Sequence, residues 1–263
     1  MPTFRECIRN RFDIKRDFLS GSYARHTKTK PLKDVDILFV LGDDEAWRRE
    51  KPPVEMLRAF ENPLKDRYGV VEIGRRSVTI EFEKPNYPDG HEGKILSIDG
   101  VPAFRLDDDY EIPDKITGTW IKTNPRTHAE QATAKNEQLS GRWKPLVKMV
   151  KAWNRANGRP IKPSFLIEVM AQRLVDPPFS AYPEEIRNFF AAAAGTIEID
   201  WSDPGRLGPP VSDQMTSELV AAARTALREA ERKATLAMRA ERNSQGEALR
   251  IWREILGGYF PLS

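Results

Sequence analysis

The first half of the chain alternates short apolar runs with polar segments that contain turn-forming residues. The strongest run covers Asp36 to Leu41, where five consecutive apolar residues indicate a buried strand. Weaker patterns predict a short helix over residues 4–12, a polar helix near 53–67, and strands over 70–73, 77–83 and 94–104. The segment KPNYPDGHEG predicts turns between the last two strands. We therefore expect a small sheet with a helix packed on one face.

The pattern changes after about residue 126 and becomes helical. Leu146, Val147, Val150 and Trp153 recur at the spacing of an amphipathic helix. Further helices are predicted over 163–175, 183–194, 212–240 and 244–256, the third of these opened by a Ser212 cap. The sequence thus predicts an α+β fold in two parts: a mixed-sheet lobe over residues 1–125 and an α-helical lobe over residues 126–263.

Composition narrows the class of protein. Hydrophobic residues make up 40% and charged residues 31% of the 263, as in an ordinary globular protein. The 42 Lys and Arg nearly balance the 39 Asp and Glu, which permits an anionic ligand without demanding a nucleic acid. A single cysteine excludes an intrachain disulfide and a Cys-rich zinc site. The sequence shows neither a membrane-spanning run nor a signal peptide, so a cytoplasmic protein is expected.

Two acids stand at the entrance of the strongest strand. Because side chains alternate along a strand, Asp34 and Asp36 lie on the same face. Two carboxylates so close repel each other unless a cation lies between them, and Mg²⁺ prefers such oxygen ligands together with substrate phosphates. The alternative is that this Asp-x-Asp pattern is only a solvated turn.

A small-residue turn precedes these acids by about a dozen residues. Gly21 allows the backbone to approach a phosphate closely, and Ser22 offers both its N–H and its hydroxyl. A short helix beginning there would also direct free N–H groups at the anion. A phosphate cradle followed by paired acids is what a metal-dependent phosphoryl transferase requires.

A third carboxylate is expected on a neighbouring strand, to hold a metal and accept a proton. Glu81, Glu83 and Asp99 are the candidates. Glu81 and Glu83 alternate with apolar residues, which is typical of a solvated strand face. Asp99 lies among apolar neighbours, where a free acid would be costly, and is therefore the predicted third acid.

Taken together, these motifs resemble a known family. The Gly21-Ser22 turn, the Asp34-x-Asp36 pair and Asp99 in IDGVPAF look like the DNA polymerase β-type nucleotidyltransferases, and within them the bacterial CD-NTases, oligonucleotide cyclases of anti-phage defence. The similarity continues through GTWIKTNPRTH, WKPLVKMVKAWN, KPSFLIEVMA and ALRIWREILGGYFP, and so covers most of the chain. It implies a two-lobed fold with the active site in the cleft between the lobes.

The resemblance also implies roles for single residues. Gly21 and Ser22 would hold the triphosphate of the donor, and Asp34, Asp36 and Asp99 would be the catalytic acids that bind two Mg²⁺ ions, or Mn²⁺ in their place. In the helical lobe, Lys151 and Ser164 match family positions near the phosphates. Lys148 lies three residues before Lys151, on the same helix face. From the residues alone, the two lysines are equally well an exposed cationic stripe, and Ser164 a helix cap.

The implied reaction transfers a nucleotidyl group from a ribonucleoside triphosphate to a ribose hydroxyl and releases pyrophosphate. Repeating it in one site would close a cyclic di- or trinucleotide. The alternatives are a related enzyme with another acceptor, such as an RNA end, a protein or a small molecule, and a catalytically silent nucleotide-binding regulator. A monomer with a regulatory or effector protein partner is expected. Direct DNA binding and a membrane partner are not.

Several further residues carry structural expectations. His26, His91 and His128 lack ligand spacing and are predicted to lie on the surface. The run from Asp107 to Asp109 is predicted to form a turn rather than a metal site. Trp120 and Trp143 are predicted to be core residues. Only about twenty residues precede Gly21, so the long N-terminal helix usual in the family is expected to be abbreviated or trimmed.

Overall fold

The structure is a computed structural model and describes residues 3–29, 34–82, 97–258 and 260–262. The chain divides into two compact units, Met1–His128 and Ala129–Ser263. The sequence predicted a boundary between residues 125 and 126. That boundary and the observed division after His128 both fall near the start of one helix, Pro125–Gln138. Part of the strands predicted over 77–83 and 94–104, and the turn segment between them, lie outside the described residues.

The first unit mixes strands and helices in the order expected of an α+β fold. Its elements are α1 (Phe4–Arg9), β1 (Ile14–Leu19), α2 (Gly21–Ala24), β2 (Asp34–Leu41), a 3-10 helix (Asp43–Glu50), α3 (Pro53–Tyr68), β3 (Glu72–Ile73), β4 (Val78–Glu81), β5 (Ser97–Leu106), β6 (Asp109–Asp114) and β7 (Thr119–Thr123).

These strands form one mixed sheet with the order β1-β2-β5-β4-β3, which β6 and β7 extend from β5. β2 and β5 run parallel, whereas the other pairs described are antiparallel. A parallel neighbour needs a long crossover connection, and α3, β3 and β4 occupy that connection here. β2 is therefore flanked by β1 and β5, which explains its run of buried apolar residues.

The predicted helix on one face of the sheet is confirmed as α3. Its buried residues Met56, Leu57, Phe60 and Leu64 recur every three or four positions. They share a core cluster with Phe39 of β2. Burying side chains of this size stabilises the unit by about 1.5–3 kcal/mol each, which fixes α3 against the strands that carry the acids.

Strands β1, β6 and β7 were not predicted, because their polar residues hide the strand pattern. In β1, the carboxylate of Asp17 is fully buried and forms ion pairs with Arg5 and Arg9 of α1. In β6, Asp114 is likewise buried and pairs with Arg75 and Arg76. These ion pairs let acids occupy the sheet, a possibility that the sequence pattern does not reveal.

The second unit is helical. Its elements are the end of α4 (Pro125–Gln138), α5 (Trp143–Ala156), α6 (Ser164–Leu174), α7 (Tyr182–Thr196), α8 (Ser217–Ala240) and α9 (Gln245–Leu256). The predicted apolar stripe of α5 is confirmed, since Leu146, Val147, Val150 and Trp153 are all buried. No described helix is long and apolar enough to span a membrane.

The start of α8 corrects the sequence-based prediction. The helix begins at Ser217 and is capped by Thr216, whose side chain accepts a hydrogen bond from Leu219 N. Ser212 does not cap it: its hydroxyl instead accepts a hydrogen bond of 2.9 Å from Trp201 N. The residues that follow Ser212 form a turn, so the helix begins later than predicted.

Most of the smaller expectations are confirmed, with one exception. Trp143 is buried in the helical core, and Asp107 has the positive φ of a tight turn. His26 is exposed as expected, whereas His128 is buried. The surface prediction for His128 is therefore wrong: the residue lies in α4 (Pro125–Gln138) and is only 8% exposed. His91 lies outside the described residues.

Candidate active site

The three predicted catalytic acids come together through the pairing of β2 with β5. In this parallel register Asp36 lies opposite Asp99, and Asp34 lies opposite Ser97. Residues at paired positions, and those two apart on one strand, share a face of the sheet. Asp34, Asp36 and Asp99 therefore lie on one face. Asp34 is exposed and accepts a hydrogen bond of 2.8 Å from the Ser97 hydroxyl.

Asp99 lies in an environment that disfavours its charged form. Burial raises its pKa from 3.8 to about 6, and the charges of Asp36 and Asp34 act in the same direction. The hydroxyls of Thr79 and Ser77 donate hydrogen bonds to Asp99 Oδ1 and oppose this rise in pKa. A carboxyl group with this pKa is ionised near neutral pH, yet it binds a proton far more readily than an ordinary aspartate.

The other candidates for the third acid differ in their exposure. Glu81 lies opposite Ser97 in the antiparallel pairing of β4 with β5, and it is exposed. This agrees with the solvated strand face predicted from the sequence. Glu83 lies outside the described residues. Among the described acids of β4 and β5, Asp99 is the one paired directly with Asp36.

Gly21 lies against the acids because it has no side chain. Its φ is +61°, in the left-handed region that glycine adopts without strain, and a Cβ built there would come within 1.7 Å of Asp36 Oδ2. The backbone next to it is tied to the same strand, since Ser20 N donates a 2.9 Å hydrogen bond to Asp36 O. Gly21 and Ser22 are the first two residues of α2, whose N-terminus thus begins beside Asp36.

This donor set fits magnesium and a triphosphate. Three carboxylates on one sheet face are hard oxygen ligands, and the absence of a side chain at Gly21 lets the start of α2 lie directly against the Asp36 carboxylate. Within the described ranges, no three His, Cys, Asp or Glu side chains form a complete metal-binding cluster by themselves. Mg²⁺ typically takes only one or two carboxylates and completes its shell with water and substrate phosphates.

The three remaining predicted site residues belong to the helical unit. Lys151 is buried on α5, and its Nζ donates a hydrogen bond of 2.6 Å to Glu168 Oε1 of α6. Because Lys151 is buried, the alternative of an exposed cationic stripe is wrong for this residue. Glu168 supplies the anionic partner that a buried ammonium needs. Lys148, three residues earlier, is half-buried.

Ser164 is exposed and is the first residue of α6. It is not the cap of that helix, since Pro163 occupies the N-cap position. Its backbone N–H therefore belongs to the first turn, where such groups have no partner within the helix.

Sequence reasoning missed the residues that support the acids. Thr79, Ser77 and Ser97 hold Asp99 and Asp34, and Glu168 holds Lys151. One signal for Thr79 was available, because it alternates with the apolar Val78 and Ile80 and so shares a face with Glu81. Glu168 carried no such signal, since its pairing depends on how α5 and α6 pack.

Comparison with solved structures gives the class of fold. The chain superposes on E. coli DncV in its 3'-deoxy GTP bound form with a TM-score of 0.72, at 14% identity, covering 94% of this chain and 70% of that one. It superposes on E. coli MS115-1 CdnC in a complex with a HORMA protein with a TM-score of 0.69, at 21% identity, covering 98% and 89%. The fold is the polymerase β-like fold of the nucleotidyltransferases.

Comparison of sequences gives the family. Residues 2–136 match the Second Messenger Oligonucleotide or Dinucleotide Synthetase (SMODS) domain. The chain is 30% identical to the cyclic AMP-AMP-AMP synthase of Acinetobacter sp. (strain ATCC 27244 / 9458), an alignment that covers 94% of this chain and 73% of that protein. The chain therefore belongs to the CD-NTase family, and its homologues include cyclic oligonucleotide synthases.

Proposed function

We propose that this protein joins ribonucleoside triphosphates into a cyclic di- or trinucleotide and releases pyrophosphate. One observation carries the proposal: the β2–β5 register sets Asp36 opposite Asp99, and the backbone at Gly21 lies directly against the Asp36 carboxylate. A carboxylate pair beside the start of a helix is suited to hold the metal ions and phosphates of nucleotidyl transfer. Asp34, Asp36 and Asp99 are the proposed catalytic acids and metal ligands.

The proposed step is an in-line displacement at the α-phosphate. The ribose hydroxyl oxygen of the acceptor forms a bond to phosphorus, the bond to the bridging oxygen of the β-phosphate breaks, and pyrophosphate leaves. When bound, two Mg²⁺ ions held by the three aspartates would stabilise the negative charge that develops on the α-phosphate and the leaving oxygen. Asp99, opposite Asp36 in the sheet, is the proposed acceptor of the proton of the hydroxyl.

The donor triphosphate is proposed to lie along the start of α2. The backbone at Gly21 approaches the phosphates closely, and Ser22 donates its N–H and hydroxyl to them. Lys148 and Ser164 are also proposed to bind the phosphates, as the family resemblance implies. Lys151 is already bound to Glu168, so we expect it to contribute through that pair and not as a freely moving cation.

ATP is the first substrate to test. The Acinetobacter relative is named a cyclic AMP-AMP-AMP synthase, and one solved CdnC structure contains ATP. The same neighbour forms a complex with a HORMA protein, which supports a regulatory protein partner for this chain too. A place in anti-phage signalling, in the bacterial cytoplasm, is part of the same proposal.

Product formation tests the proposal directly. The purified protein is incubated with labelled ATP alone and with all four labelled ribonucleoside triphosphates, in Mg²⁺ or Mn²⁺, and then treated with phosphatase. The control is the double variant Asp34→Ala/Asp36→Ala. A phosphatase-resistant product that the control lacks is the expected result. Linear products alone would remove cyclisation but keep nucleotidyl transfer, and triphosphate binding without pyrophosphate release would indicate a silent regulator.

A further inference from the structure

Three side chains form a row across the centre of the sheet. Asp36 of β2 lies opposite Asp99 of β5, and Thr79 of β4 lies opposite Asp99 on its other side. Because side chains at paired positions share a face of the sheet, all three belong to the face that carries the acids. Asp99 is therefore flanked by a carboxylate on one neighbouring strand and by a hydroxyl on the other.

These two neighbours act on Asp99 in opposite ways. The carboxylate of Asp36 repels that of Asp99 when both are ionised. The Thr79 hydroxyl donates a hydrogen bond to Asp99 Oδ1, and the Ser77 hydroxyl donates a longer one of 3.5 Å to the same atom. Within the described ranges, the hydrogen bonds to the Asp99 carboxylate all end on Oδ1, and Oδ2 accepts none.

The strand that carries Thr79 is anchored where it begins. The guanidinium groups of Arg75 and Arg76, just before β4, both pair with the buried carboxylate of Asp114. This ties the start of β4 to β6, the strand that ends at Asp114. The β-branched side chain of Thr79 also has few rotamers. The backbone and the side chain therefore both restrict the movement of this hydroxyl away from Asp99.

We propose that Thr79 is a positioning residue of the active site, whose hydroxyl holds Asp99 Oδ1 and so leaves Oδ2 to bind metal. The assignment rests on the proposed function, in which Asp99 is a metal ligand. Without the hydroxyl, nothing of equal strength opposes the repulsion from Asp36, and the carboxylate can rotate. Hydrogen bonds that orient a metal ligand change metal affinity about 10- to 100-fold, so Thr79 should contribute to the affinity for metal.

Metal binding is measured separately from catalysis. Mn²⁺ is titrated into the purified full chain in the presence of a non-hydrolysable ATP analogue, and free Mn²⁺ is followed by electron paramagnetic resonance. Thr79→Val has nearly the shape of threonine but lacks the donor, so its affinity for Mn²⁺ should fall about tenfold or more. Thr79→Ala, which also lacks the donor, should show the same loss. Thr79→Ser keeps the donor and should bind Mn²⁺ nearly as well as the wild-type chain.

Thr119→Val is the matched control. Thr119 is an exposed residue of β7, and its hydroxyl is hydrogen-bonded to that of Thr117. The substitution therefore removes a hydrogen-bonded hydroxyl from a strand without changing a contact of the three predicted catalytic acids. The variant should bind Mn²⁺ as the wild-type chain does. Circular dichroism in metal-free buffer checks that every variant is folded.

The Mg²⁺ dependence of the reaction separates positioning from damage to the fold. Thr79→Val should need about tenfold more Mg²⁺ than the wild-type chain for half-maximal pyrophosphate release. Excess Mg²⁺ should recover most of its kcat, because the remaining ligands are unchanged. A kcat that stays low at every Mg²⁺ concentration would indicate a structural defect and would overturn the positioning role.

Failure of this proposal differs from failure of the proposed function. Equal Mn²⁺ affinities of Thr79→Val and the wild-type chain, or an equal loss in Thr79→Ser, would overturn the positioning role and leave nucleotidyl transfer standing. A wild-type chain that binds Mn²⁺ but releases no pyrophosphate would overturn the function, and the Mn²⁺ affinities of the variants would still decide the role of Thr79. A wild-type chain that binds no Mn²⁺ with the analogue would overturn both.

Discussion

Gly21 lies so close to Asp36 that a Cβ atom at position 21 would be 1.7 Å from the Asp36 Oδ2 atom. No rotation of a methyl group avoids such a collision, so Asp36 or the α2 turn has to move. Displacements of about 1 Å in a reacting group cost on the order of 100-fold in rate. We therefore predict that Gly21→Ala lowers product formation about 100-fold.

Gly118→Ala is the control for that substitution. Gly118 has a similar φ of +69°, but a Cβ there would meet nothing within 4 Å. Both variants carry the backbone strain of an alanine in the left-handed region, about 1–2 kcal/mol. Only Gly21→Ala should lose activity, as measured by pyrophosphate release. Equal losses in both variants would mean that strain, and not the contact with Asp36, explains the effect.

The pH dependence of stability should reveal the raised pKa of Asp99. Because the folded state raises this pKa from 3.8 to about 6, the folded chain binds more protons than the unfolded chain between these values. The contribution of Asp99 to stability is therefore favourable below pH 4 and is lost as the pH rises through 6. A pKa change of this size corresponds to about 3 kcal/mol, and partial exposure reduces the expected cost to about 1–2 kcal/mol.

The variant Asp99→Asn isolates this contribution. It removes the charge and keeps an oxygen for the Thr79 hydroxyl. In metal-free buffer, urea unfolding should show it to be more stable than the wild-type chain at pH 8, with the difference shrinking towards pH 4. Subtracting the wild-type value at each pH cancels the titration of the groups that do not interact with Asp99. A difference that does not change with pH would contradict the raised pKa.

Ligand binding should stabilise the chain through the same acids. Asp34, Asp36 and Asp99 share one sheet face, and their mutual repulsion is relieved when a cation and a triphosphate bind. With Mg²⁺ and a non-hydrolysable ATP analogue at 100 times the dissociation constant, the free energy of unfolding should rise by about 2.7 kcal/mol. Differential scanning fluorimetry measures this as an increase in Tm.

Asp36→Asn should abolish most of that increase, whereas the ATP analogue without metal should give little of it in either protein. An equal increase in Tm for the variant and the wild-type chain would show that the nucleotide binds elsewhere.

The buried pair of Lys151 and Glu168 makes a further prediction about stability. The two side chains are 6% and 1% exposed, so removing one charge leaves the other buried without its main partner. Lys151→Met and Glu168→Gln should each destabilise the chain by about 3–5 kcal/mol, and the double variant should cost much less than the sum. Urea unfolding of the four proteins gives the coupling energy.

The ion pair between Lys233 and Glu254 is a suitable control, because both side chains are much more exposed. Lys233→Met should change the free energy of unfolding by less than about 1 kcal/mol. Additive effects at Lys151 and Glu168 would mean that their hydrogen bond contributes little in solution.

The sequence predicted the strand that carries the acids because β2 is buried between two neighbours and its apolar run is unbroken. It also predicted α3 and α5, whose apolar residues recur at helical spacing. It failed where charged residues are buried in pairs. Asp17 in β1 and Lys151 in α5 both resemble surface residues in the sequence, since their partners lie on other elements.

The candidate site was partly predictable for a similar reason. The Gly21 turn and the Asp34-x-Asp36 pattern are local, so their chemistry can be deduced from spacing. Asp99 was inferred from its apolar neighbours, but its contact with Asp36 depends on the register of two strands that are distant in the sequence. The hydroxyl of Thr79 on β4 donates a hydrogen bond to Asp99, so the position of Asp99 depends on a third strand as well.

The parallel pairing of β2 with β5 also determines when a newly made chain can become active. Strand β2 emerges from the ribosome well before β5, because α3, β3 and β4 lie between them in the sequence. Pairings of such long range form slowly and late in folding. Asp34 and Asp36 therefore remain without Asp99 until the centre of the sheet closes, and a prematurely terminated chain that lacks β5 would lack one of the three proposed catalytic acids.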